Sequence, residues 1–436
     1  MNSGRRTLRP GRRVGISRPA IPSSRSAPRS ATAGRGALRR GAGVLALLLA
    51  AVNLRPAVTS LGPVLDEVRV SLGLSPAVAG VLTSVPAACF ALVGFLGPRL
   101  ARRYGPDAVV TAGMTAIAVG LVLRAFASGA ALFFGSSALA LAGIAVANVL
   151  LPVVVKQRFP ARVGMMTGLY ATALNLGASA AAALTVPLTR IHGADWRLGL
   201  AAWGGLAALA VPSWVALARS RGRDRGAPAS ASSAQDAVAV TPGAAPDVPL
   251  TRNPTAWALA VYFGLQATAA YVIIGWLPQI FRDAGLSAES AGLLFALTSV
   301  LGIPLSFALS ALAGRLRGQS GIAVTIGVFG LAGYAGLWAA PTAAPWLWAV
   351  LLGVANCSFP LALTMIGMRG RDSATVVRLS AFVQSAGYLL SIPGPVLVGA
   401  LYEHSGSWRP PLFFLALLML PQLAAGLLAG RNRPIG

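Results

Sequence analysis

ALFFGSSALALAGIAVANVLLPVVV, residues 131–155, runs for 25 residues without one charged side chain. At 1.5 Å of rise per residue this is about 37 Å of helix, enough to cross a bilayer's ~30 Å hydrocarbon core. Lys156 and Arg158 follow at once, and the nearest preceding charge is Arg124. Comparable runs lie on both sides, at 43–65, 76–97, 108–126, 163–187, 197–217, 255–280, 289–313, 321–340, 345–368, 378–401 and 410–430, which makes twelve. Lipid satisfies no backbone polar group, so a spanning segment is a helix or a strand of a closed barrel. These runs are too long and too uniformly apolar for barrel strands. The sequence predicts an all-α membrane protein with twelve transmembrane helices.

Composition points the same way. Only 11% of the 436 residues are charged and 56% are apolar, whereas a soluble domain carries about 25% charged residues. The net charge of +25 would suit a nucleic-acid binder, but almost all the cations sit in the first 40 residues or between the apolar runs. That placement fits the positive-inside rule and implies no nucleic-acid partner. Cys89 and Cys357 fall inside apolar runs, and His192 and His404 fall in connections. No zinc spacing, nucleophile elbow or phosphate loop is present, so neither a cofactor nor enzyme chemistry is expected.

Counting cations sets the orientation. With both termini on one side, 29 Lys and Arg residues face that side. Six face the other: Arg69, Arg124, Arg190, Arg197, Arg282 and Arg409. The richer side is expected to be cytoplasmic. The expected organisation is a disordered basic tail (1–42), a first six-helix bundle (43–217), a flexible cytoplasmic linker (218–254), a second bundle (255–430) and a short cytoplasmic tail (431–436). The first run continues past Asn53-Leu54-Arg55-Pro56 with no cleavage site, so it reads as a retained span.

The halves repeat one another. Gly73-Leu74-Ser75 recurs as Gly285-Leu286-Ser287, Asn148-x3-Pro152 as Asn356-x3-Pro360, and Trp196-Arg197 as Trp408-Arg409, at offsets of 208 to 212 residues. Six spans per half make the repeats parallel, related by an axis along the membrane normal.

Twelve spans, a six-plus-six duplication and a long central loop resemble the major facilitator superfamily. Its motif between the second and third helices is matched here by Gly97 and Arg102, with Arg103 following; Ala101 stands at the acidic position and Tyr104 at the second glycine. The resemblance implies a gating role for Gly97, Arg102 and Arg103. Asn53-Leu54-Arg55-Pro56, Asn148-x3-Pro152, Gly168-Leu169-Tyr170, Asn175 and Trp196-Arg197 are similar to the cyanate/nitroimidazole permease (CynX/NimT) family. That likeness implies a small, flat or anionic substrate.

Arg55 carries the most information among the candidate site residues. It sits near the middle of its span, roughly 17 Å from either end, where a cation costs about 2.5–3.5 kcal/mol on the lenient insertion scale. All eleven acids lie in connections or at span ends. Two roles follow for Arg55: contact with an anionic substrate, or a bond to a carbonyl freed by Pro56, which lacks an N–H. Asn53 adjoins it. Thr172, Asn175 and Ser179 share one helical face, as do Ser380, Gln384, Tyr388 and Ser391. Gln266 and Tyr271 occupy the part of the seventh span equivalent to Arg55. With Asn148, Tyr170 and Asn356, these side chains either line a substrate cavity or join helices by hydrogen bonds. Trp276 reads as an interfacial anchor.

The expected function is secondary active transport of a cyanate-like anion or nitroimidazole-like compound by alternating access, with the small molecule, the bilayer and a coupling proton as partners. The protein is expected to be a monomer in the cell membrane. Two alternatives share these features: an exporter of drugs or metabolites, and a membrane sensor without flux.

Overall fold

The computed structural model describes residues 29–191, 195–224, 250–371, 373–433 and 435. Among them are twelve helices long and apolar enough to cross a membrane. They are α1 (Gly41–Leu72), α2 (Pro76–Tyr104), α3 (Pro106–Ala125), α4 (Ala130–Arg158), α5 (Val163–Arg190), α6 (Trp196–Asp224), α7 (Pro254–Asp283), α8 (Ala288–Arg315), α9 (Ser320–Ala339), α10 (Pro345–Arg369), α11 (Thr375–Ser405) and α12 (Arg409–Ala429). They form two pseudo-symmetric six-helix bundles. The expected tail and linker fall largely on residues 1–28 and 225–249, outside the described residues; the first helix itself begins at Arg29. An even number of spans puts the start of α1 and the end of α12 on one face, here called the terminal face. The opposite one is the distal face.

Local chemistry explains most helix ends. Ser75 and Ser287 cap α2 and α8 by accepting hydrogen bonds from Val78 N–H and Ser290 N–H, a bond that satisfies one of the orphan donors at a helix start. Gly73 ends α1 at a left-handed φ of 63°, a conformation cheap only for glycine. α1 is not one continuous helix. It stops at Asn53, restarts as Pro56–Thr59, tightens to a 3-10 turn at Gly62–Val64 and resumes as Leu65–Leu72. The expected end at residue 65 is thus too early. Asp66, Glu67 and Arg69 do not stop the helix, because they lie at its distal end and pair: Arg69 with Asp66 at 3.4 Å, Glu67 with Arg282 at 2.8 Å.

The first bundle has its own core, including Leu47, Leu54, Met114, Leu151 and Trp214. The core of the second bundle extends into the distal end of the first, taking in Leu61, Leu65, Val68, Phe133 and Trp196. The halves are therefore fused apolar-to-apolar near the distal face. Along α2 and α11 the backbones themselves nearly touch. A Cβ on Gly80 would lie 2.5 Å from the Pro395 carbonyl oxygen, and one on Gly399 would strike that of Pro76.

The duplication is also visible in buried polar chemistry that the sequence reading missed. At the terminal face Arg158, ending α4, forks onto Asp107 at the start of α3 (2.8 and 3.4 Å) and reaches the Leu217 carbonyl of α6 at 3.4 Å. In the second half Arg369, ending α10, donates to Gln319 Oε1 (2.5 Å) before α9 and to the Ala429 and Gly430 carbonyls ending α12. Asp107 and Gln319, Arg158 and Arg369, Leu217 and Ala429 are all separated by 211 or 212 residues. Arg369 satisfies carbonyls left open at the C-terminus of α12, and its charge meets the negative end of that helix's dipole.

A cationic and aromatic site between the halves

The break in α1 places Arg55. Leu54 and Arg55 form the turn between Asn53 and Pro56, and the Arg55 carbonyl accepts from Val58 N–H, Thr59 N–H and Thr59 Oγ1. The Arg55 side chain is half-buried. Among the described residues its guanidinium has no hydrogen bond and no ion pair. It lies within electrostatic reach of Tyr271 in α7 and Tyr388 in α11, two expected residues from the other half. Tyr388 stacks on Phe90 of α2 with centroids 5.2 Å apart and takes Phe263 edge-on at 5.1 Å. The site thus offers one unpaired cation, two phenols and a wall of flat rings.

Bracing of the broken helix falls to another residue. Arg124, buried in the last turn of α3, donates to the Ala57 carbonyl at 2.7 Å and to Ser60 Oγ at 3.4 Å. The charge count assigns Arg124 only to a side of the membrane; the structure adds that it is buried. The signal was present, since the residue lies inside the run 108–126. The reading of Trp276 is corrected: it is fully buried, packed on Trp408 and Tyr402, rather than anchored at the interface.

The other candidates are spread out. Asn53 is buried and donates to Leu49 O (2.8 Å) and Leu206 O (3.4 Å), tying α1 to α6. Asn148 donates to Ile144 O and Asn175 to Ala171 O, each one turn back along its own helix. Gln384 bonds Ser380 Oγ at 2.7 Å. Asn175 and Gln384 spend their amide N–H groups within their own helices. Gln266 and Asn356 do meet, at 3.4 Å, beside a separate hollow inside the second bundle that Tyr334 and Gln422 also line. Tyr170 is half-buried against the first bundle's core. Arg102 and Arg103 are exposed at the end of α2, Arg103 lying over the Tyr104 ring at 5.3 Å; Gly97 is within α2, its surroundings outside the described residues.

Toward the distal face the halves are latched by polar contacts. Arg282 pairs with Glu67 at 2.8 Å and also reaches the Pro63 carbonyl. Arg190 pairs with Glu289, and Glu403 accepts from the Ala77 N–H at 2.9 Å. The pair Arg282–Glu67 is partly exposed, which holds its worth to about 1 kcal/mol or less. A shift of that size still changes a two-state ratio several-fold. Glu67→Gln should therefore raise the labelling rate of a cysteine at Thr83 by distal-side reagents, with little change in melting temperature. An unchanged rate would show that the apolar contacts alone keep that face shut.

The profile of the Major Facilitator Superfamily matches residues 47–377. The chain is 34% identical over 394 residues to an uncharacterized transporter, YycB, of Bacillus subtilis (strain 168), covering 90% of this chain and 94% of that one. It is 32% identical to the 2-nitroimidazole transporter of Escherichia coli (strain K12), over 90% of this chain and 96% of the relative. To the cyanate transport protein CynX of the same organism it is 30% identical, over 86% and 94%. A bacterial homolog of the human lysosomal transporter Spinster, crystallised inward-facing and unoccupied, superposes with a TM-score of 0.70 at 16% identity, covering 90% of this chain and 97% of that one. The chain belongs to the major facilitator superfamily, as a multi-pass membrane transporter similar to the named cyanate and nitroimidazole carriers.

Proposed function

We propose that the chain carries a small monovalent anion, or a flat electron-rich solute of similar size, across the cell membrane by alternating access. The observation that carries this reading is Arg55, a guanidinium without a hydrogen bond or ion pair among the described residues, within electrostatic reach of Tyr271 and of Tyr388, whose ring stacks on Phe90. A cation in a low-dielectric site attracts an anion far more strongly than in water. The guanidinium fork and two hydroxyls supply directed donors, and the ring wall favours a planar or linear solute over a bulky one. The relatives' names, a cyanate transport protein and a 2-nitroimidazole transporter, support the same class. Uptake of radiolabelled cyanate and 2-nitroimidazole into proteoliposomes tests it. Flux of neither, by protein that is folded and inserted, would overturn it.

The proposed topology has both termini cytoplasmic and the distal face outside, on the 29-to-6 division of cations. Cysteines introduced at Ser232 and Ser287 should react with impermeant reagents from the cytoplasmic and outer sides respectively. Labelling of both from one side would refute it. The proposed working unit is the monomer, and a proton is the proposed coupling ion.

A further inference from the structure

We propose that Arg124 and Ser137 form a second small-anion subsite, distal to Arg55 and joined to it through Tyr271. This rests on the reading of Arg55 as an anion site and extends it to a two-station path.

A narrow hollow lies between the halves, walled by Ala57, Thr83, Arg124, Ser137, Tyr271 and Gly275 among others. Arg124 is 1% exposed. Two of its nitrogens are engaged, Nη1 on the Ala57 carbonyl and Nη2, at 3.4 Å, on Ser60 Oγ, while Nε has no partner. The Phe133 ring lies 5.9 Å from the guanidinium carbon. Among the described residues no carboxylate pairs with Arg124. Ser137 Oγ, on α4 across the hollow, is also buried without a partner. A buried N–H donor, a buried hydroxyl and an uncompensated positive charge therefore border one cavity. Neutral partners hold the guanidinium in place and leave its net charge uncancelled. Burying such a charge is costly unless something pairs with it. A small monovalent anion supplies that charge and accepts from Nε and Ser137 Oγ.

Tyr271 links the two stations. It lines this hollow and is also within the reach of Arg55's charge. Arg55 and Ala57, two residues apart, tie both stations to the same broken stretch of α1. The Glu67–Arg282 latch lies beyond Arg124 toward the distal face. An anion leaving Arg55 for that face would meet Arg124 next.

The test is thiocyanate binding by calorimetry on the purified full-length chain in lipid nanodiscs. Thiocyanate is linear and monovalent like cyanate. Arg124 is left unchanged because it also braces Ala57. Wild type should show two classes of site. Ser137→Leu, which fills the hollow, should lose one class and keep the other. Ser137→Ala, the milder variant should Leu not fold, should weaken that same class several-fold. Arg55→Gln should lose the class that survives in Ser137→Leu, and the double variant should lose both. A single class in wild type, or two unchanged classes in folded Ser137→Leu or Ser137→Ala, would overturn the Arg124 subsite. Two unchanged classes in Arg55→Gln would instead overturn the Arg55 reading, leaving the Ser137 result to decide the subsite on its own.

Discussion

Arg55→Gln should abolish transport while the protein still inserts and folds. Hydrogen bonds to a charged group contribute about 1.5–3 kcal/mol each. Losing two, at 1.4 kcal/mol per tenfold, weakens anion binding at the Arg55 site by about 100-fold or more. Folding is expected to survive, because the Arg55 guanidinium holds no protein group in place; the broken turn is held by Arg124 on the Ala57 carbonyl. Removing a cation that costs about 2.5–3.5 kcal/mol at mid-membrane should leave the melting temperature level or raise it. Arg55→Lys keeps the charge but loses the planar fork, so it should retain slow transport with weakened affinity. Melting temperature, binding constant and flux measured on the same preparations check all three. Wild-type affinity in a folded Arg55→Gln would end the substrate-contact reading.

Arg158→Ala should destabilise the first bundle by about 1.5–3 kcal/mol, the worth of a hydrogen bond to a charged group. Asp107 has 5% of its side chain exposed and takes a forked contact from Arg158, which also holds the Leu217 carbonyl. The equivalent change in the second half, Arg369→Ala, should cost less. Its side-chain partner is the neutral Gln319, so no contact between opposite charges is lost. The orphaned carbonyls of Ala429 and Gly430 lie at a helix end, and an unmade buried hydrogen bond costs about 1–3 kcal/mol. Melting curves of the two variants in one detergent give the comparison. Equal losses would mean that the carbonyl contacts, rather than the Asp107 charge, dominate both clamps.

The twelve spans were legible because lipid makes a blunt demand: about 20 apolar residues in a row, whatever their order. Helix ends were less so. α1 runs on to Leu72 through Asp66, Glu67 and Arg69, because charges at a helix end that find partners do not break it. Arg55 was legible as a lone cation, and Tyr271 and Tyr388 as polar points on the right faces. Asn148 and Asn175 show where such reasoning fades. An amide on a helix can bond the carbonyl one turn back as readily as face a cavity, and sequence spacing is the same for both. Arg124 and the Arg158–Asp107 pair were hidden for another reason. A cation near the end of an apolar run looks like a loop residue until a neighbouring helix closes over it.

The bare backbone contact of α2 with α11 at Gly80 and Gly399 has a mechanical consequence. Surfaces that interlock through long side chains must unlace before they part, and each side chain must find its rotamer again on return. At Gly80 and Gly399 carbonyl oxygen meets glycine, so along this stretch the pair forms smooth rails, while the Phe90–Tyr388 stack interlocks the helices further along. Parting them forfeits dispersion contacts, each worth only about 0.1–0.2 kcal/mol per atom pair, and calls for no rotamer search at that point. A bulky side chain on either rail would act as a doorstop, setting the width of the gap without touching the cargo.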